Sequence, residues 1–128
     1  MRRVLIGMAA AVGLWSTTAA AVSVEDFKLL NGQDLLDVCS VVETDPLYQQ
    51  AMAFCYGYVT GVMHYHRALA QGPKHERVVC PGREVSRTEA IGVFIDWARQ
   101  NPQHMSESPI DVLARAAVAK WPCEPKKS

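Results

Sequence analysis

The chain has 128 residues, with 13 basic and 13 acidic side chains and a formal net charge of +0. Apolar residues make up 49% of it, enough for one domain with a modest core. Such a charge balance provides no basic field to attract nucleic acid or anionic lipid, so neither nucleic acid nor a membrane is expected as a partner.

The N-terminus reads as an export signal. Arg2 and Arg3 form a basic start, Val4 to Trp15 is an apolar run of twelve, and "STTAAAV" supplies small residues for an A-x-A cut. The run is too short to span a bilayer as a helix. Cleavage is expected after Ala21, which makes 1–21 a signal peptide, 22–123 a single domain and 124–128 a disordered tail. Removing Arg2 and Arg3 leaves 11 basic against 13 acidic residues, a net charge near −2. No cysteine follows the signal to carry a lipid, so the expected location is the periplasm, free of any anchor.

"NGQDLLDVCS" predicts a short first helix, with Asn31 as its cap and Leu35, Leu36 and Cys39 on one side. "ETDPLYQQ" opens the second, with Asp45 able to cap and Pro46 suited to the first helical position. Its pattern runs to about Leu69. "AQGPKHERVVCPGREV" is a polar loop. Ser86 and Glu89 have capping-box spacing, and Ile91, Phe94, Ile95 and Ala98 form the stripe of a third helix ended by Asn101-Pro102. Ser108 caps the last helix and Pro109 opens it. Ile110, Leu113, Ala114, Ala117 and Trp121 line one face, and Pro122 stops it. No strand alternation of useful length occurs. The expected fold is all-α, a small single-domain bundle of about four main helices.

All four cysteines (Cys39, Cys55, Cys80 and Cys123) lie in the mature part. An even count in a small exported domain reads as two disulfides. Three connectivities are open, and Cys39–Cys55 with Cys80–Cys123 is favoured. Loops of roughly 15 and 40 residues would then contribute about 3 and 4 kcal/mol through chain entropy.

The stretch "CYGYVTGVMHYH", Cys55 to His66, suggests a nucleophile with its base or a metal site. Helical geometry excludes a Cys–His pair or a chelate within this stretch, leaving only a metal site completed by His75 or His104. His66 lies about 16 Å along the axis from Cys55, and His64 about 13 Å away on the opposite face. Cys–His catalysis needs about 3 Å, and zinc ligands sit about 2.3 Å from one point. The segment therefore reads as architecture. Ala51, Cys55, Tyr58, Val59, Val62 and Leu69 share a face. Gly57, Gly61 and Ala68 lie opposite, as points of close backbone approach on a central, buried helix. Asp34 and Asp37 read as a solvated first turn. No G-x-S-x-G, H-E-x-x-H, Walker loop or dinucleotide glycine pattern occurs. No enzyme, metal or cofactor is expected, and the domain should work by binding.

"DLLDVCS", "AFCYGYVTGVMH", "CPGREVSRTEAIGVFIDWARQNPQHM" and "AKWPC", in this order, resemble the Tai/Rap-type immunity proteins over about Leu35 to Cys123. The resemblance implies a periplasmic helical protein, often a homodimer, that protects against type VI secretion peptidoglycan amidases. It implies stoichiometric inhibition of a cognate amidase effector by blocking its active-site cleft. Two features depart from the family pattern. His64 stands where an acidic residue is expected soon after the G-V pair, and the loop from Gln71 to Val79 is particular to this chain. The expected partner-binding residues are His64, Tyr65, Arg67, Lys74, His75, Glu76 and Arg77, since Tyr and Arg are common interface anchors. The rival expectation is a helical acid-stress chaperone, in which four histidines would provide a pH response.

Overall fold

The computed structural model describes residues 21–74 and 77–125. The expected leader up to residue 20, His75, Glu76 and residues 126–128 of the expected tail lie outside the described residues. Within them the chain forms four α-helices and two short 3-10 helices, with no strand. The helices are α1 (Gly32–Cys39), α2 (Tyr48–Gln71), α3 (Arg87–Gln100) and α4 (Pro109–Lys120). The expected all-α architecture and both favoured disulfides, Cys39–Cys55 and Cys80–Cys123, are present.

A 3-10 helix over Val24–Lys28, which the sequence reading missed, precedes α1. The Ser23 amide donates to Asp26 Oδ2 at 2.6 Å. The Ser23-x-x-Asp26 spacing was the available signal.

Three of the four helix starts follow from local caps. Asn31 Oδ1 accepts from the amides of Gln33 and Asp34 at 2.8 and 3.1 Å. Ser86 Oγ accepts from the Glu89 amide at 3.1 Å, and Ser108 Oγ from the Asp111 amide at 3.3 Å. Each supplies an acceptor for a first-turn amide with no partner inside its helix. The expected Ser86–Glu89 box closes only halfway. Glu89 turns outward and takes Arg83 in a two-pronged pair at 3.0 and 2.5 Å. A charged partner outcompetes a backbone amide for the carboxylate, and the Arg83 guanidinium holds Glu89 below the usual carboxylate range.

The fourth start differs from expectation. Helix α2 begins at Tyr48 rather than Pro46, and Leu47 at its cap contributes no side-chain bond. Asp45 instead closes a separate turn: its carbonyl accepts from the Tyr48 amide at 3.0 Å and its Oδ1 from the Leu47 amide at 2.8 Å. The far end of α2 overshoots Leu69 by two residues, and Gly72-Pro73 ends it.

Helix α1 has eight residues but packs against all three other helices. Leu35 and Val38 are fully enclosed, and Cys39 reaches the α2 residue Cys55 through the first disulfide. From α3 the core takes Ile91, Phe94 and Ala98, as the stripe foretold. Helix-on-helix burial of this kind supplies most of the folding free energy in a small bundle.

The start of α1 lies hard against α4. The Gly32 amide donates to the Glu107 carbonyl at 2.8 Å. A Cβ on Gly32 would stand 2.8 Å from both methyls of Val112 and 3.3 Å from the Met105 carbonyl oxygen. Val112 is fully buried and β-branched, so it cannot swing away. Gly32→Ala should therefore destabilise by about 1–3 kcal/mol despite alanine's better helix propensity. A urea titration reads this directly; an unchanged midpoint would show that the helices can part at no cost.

Asp37, expected in a solvated first turn, is partly enclosed. Burial pushes its carboxyl above the usual carboxylate range; Asp26 and Asp34 push the same way, against the 2.8 Å bond from Gln33 Nε2. The native state therefore binds this proton more tightly than the unfolded chain. Ionised Asp37 opposes folding at neutral pH, and the penalty disappears as pH falls below the unfolded carboxylate value. Asp37→Asn, which can still accept from Gln33, should raise the melting temperature at pH 7 and leave it unchanged near pH 3. Equal melting temperatures at pH 7 would refute this.

Candidate partner-binding groove

Helices α1 and α3 bind the bundle together, but α2 and α4 make no extended contact with each other. Between the C-terminal half of α2 and the length of α4 lies a groove of about 770 Å³. Val59 and Leu113, both core residues, form its floor. Val62, Met63 and Leu69 make the α2 wall, and Ile110, Ala117 and Trp121 the α4 wall.

The segment over residues 77–85 lines the groove and is tied to both walls. On one side Cys80 is bonded to Cys123, and its amide donates to the Trp121 carbonyl at 2.9 Å. On the other, His66 Nε2 accepts from the Val78 amide at 3.4 Å. The histidine thus holds the backbone of this segment to α2.

Cys55 is enclosed and locked in its disulfide, and no cysteine of the chain is free. Among the described residues no group of three or more His, Cys, Asp or Glu side chains is placed to hold a metal. What the groove offers is an apolar slot with a polar rim. Tyr65 stands 68% exposed, and Arg67 and Arg77 line the same opening. A slot of this kind can bury apolar side chains of a partner, while the rim gives hydrogen bonds and cationic contacts at its edge.

The family model of the Rap1a immunity proteins matches residues 31–123. The chain belongs to this family. No curated protein and no solved structure matches it. The matched span holds all four helices, both disulfides and the whole groove; the 3-10 helix over Val24–Lys28 precedes it. A Rap1a immunity protein acts by binding an effector, and a binding surface is the site to look for.

The expected partner-binding residues of this Rap1a protein fall into three groups. Tyr65, Arg67 and Arg77 come together at the groove. His64 and Lys74 are exposed but do not line it. His75 and Glu76 lie outside the described residues.

One expectation about the surrounding helices is overturned. Helix α2 is not buried on most sides: Ala51, Cys55 and Val59 are enclosed, but a Cβ on Gly57 or Gly61 would meet nothing within 4 Å. These glycines face outward, and among the described residues no backbone approaches them. Helix α4 carries the expected face, Ile110, Leu113, Ala114, Ala117 and Trp121, along one side. Val112, Leu113 and Ala116 enter the core, whereas Ile110 is largely exposed and Ala114, Ala117 and Trp121 are half-buried. That stripe lines the groove, together with Leu113. Among the described residues no element is laid upon this apolar face, which is the signal that could have located the groove.

Proposed function

We propose that this protein is a periplasmic immunity protein that binds a peptidoglycan amidase effector of the type VI secretion class and occludes its active-site cleft. Membership of the Rap1a family carries the reading. The groove supports it, because it joins an apolar slot to the rim formed by Tyr65, Arg67 and Arg77. Two disulfides fit an oxidising compartment, in line with export through the N-terminal signal. No helix of the described residues is long and apolar enough to cross a membrane.

In this reading His64, Tyr65, Arg67, Lys74, His75, Glu76 and Arg77 contact the effector. Inhibition is stoichiometric, one immunity chain per effector chain, whether the complex is 1:1 or a 2:2 assembly on a homodimer. The immunity protein contributes no catalytic group and no cofactor; it denies substrate access.

The test is affinity capture with the oxidised mature protein against secreted and periplasmic extracts of related bacteria, read by mass spectrometry. Recovery of one peptidoglycan amidase in stoichiometric amount is the expected result. A broad set of unfolded proteins, bound most strongly in acid, would overturn it in favour of a chaperone. With the amidase in hand, replacing Lys74 to Arg77 by Gly/Ser should weaken binding by at least about 100-fold, the loss of two or more anchor contacts. The melting temperature should stay nearly unchanged. Undiminished affinity in that variant would remove this loop from the interface.

A further inference from the structure

Ala21 is exposed, yet the next side chain, Val22, is only 7% exposed and belongs to the core cluster. The Val22 nitrogen lies 3.2 Å from Asp45 Oδ2, while Asp45 Oδ1 accepts from the Leu47 amide at 2.8 Å. The Ser23 amide, one residue on, is held by Asp26. The bond before Val22 is also the one that Ala19 and Ala21 flank as small residues three and one positions upstream.

We propose that export processing cuts the chain between Ala21 and Val22, and that the new α-ammonium of Val22 pairs with the Asp45 carboxylate. Hydrolysis adds one water across the amide. The water oxygen ends on the Ala21 carboxylate, and both its hydrogens end on the Val22 nitrogen, which becomes an ammonium at neutral pH. A neutral N–H donor to Asp45 thereby becomes a charged one at the same place, and charge-assisted bonds are about twice as strong as neutral ones. Neighbouring cuts do not achieve this. A cut after Ala20 leaves a neutral amide at Val22 and moves the ammonium about 3.5 Å further along the chain. A cut after Val22 removes a core side chain. The carboxylate expected to cap α2 thus has a different office, to receive the N-terminus of the processed protein. The inference rests on the export reading and is independent of which effector is bound.

The full-length chain, expressed in a Gram-negative host, should yield a periplasmic product whose intact mass corresponds to Val22–Ser128 with two disulfides. A product starting at any other residue overturns the inference while leaving export intact. A product that retains the leader overturns both. The pairing itself is read from four proteins released from fusions, starting at Val22 or at Ala21, each with Asp45 or Asp45→Asn. With Asp45 present, the added Ala21 should raise the unfolding equilibrium constant about three- to tenfold. With Asp45→Asn the two starts should be equally stable. Equal stability while Asp45 is present would overturn the pairing.

Discussion

Replacing Cys39 and Cys55 together by alanine should destabilise the fold by about 3–5 kcal/mol. Their separation of 16 residues makes the chain-entropy part about 3 kcal/mol. A packing part adds to it, because both cysteines are enclosed where α1 meets α2. Domains of this size are stable by only about 5–15 kcal/mol in total, so the variant should sit close to its threshold at 37 °C. Denaturant titrations followed by circular dichroism measure the loss. A drop below about 1 kcal/mol would mean that α1 is held in place without the bridge.

Phe94→Ala should have an effect of similar size, about 3–5 kcal/mol. Phe94 is the largest side chain of the described residues that is fully enclosed. It projects from α3, which packs against α1, α2 and α4, so the void would open where these helices converge. Relaxation into that void is restricted because two of these helices, α1 and α2, are cross-linked to each other. Ile95→Ala is the control: Ile95 is half-buried on the same helix and should lose clearly less. Equal losses for the two would show that the core is not organised around Phe94.

The fold was legible where its determinants are local. Asn31, Ser86 and Ser108 announce helix starts because each cap satisfies amides two or three residues away. The start of α2 was misread because Asp45 serves a turn and a distant backbone nitrogen, that of Val22, and no local rule reveals a partner so far along the chain. What the α4 face meets was not legible for another reason. This helix carries two apolar stripes, one through Val112 and Ala116 and one through Ile110, Ala114, Ala117 and Trp121. Periodicity shows that a stripe is apolar but not what it faces. The groove is a consequence of two helices failing to meet, a relation between elements that no single segment encodes. Its rim was partly legible, because Tyr65, Arg67 and Arg77 are long polar or aromatic side chains beside a loop.

The small helix α1 divides labour within the molecule. It ties the bundle together from the inside and contributes nothing to the walls of the groove, which are the outer faces of α2 and α4. Mutations at Leu69, Ile110 or Val78 touch side chains that are already largely exposed, so they can accumulate with little loss of stability. The side chains along the groove can therefore be exchanged independently of the scaffold that holds them.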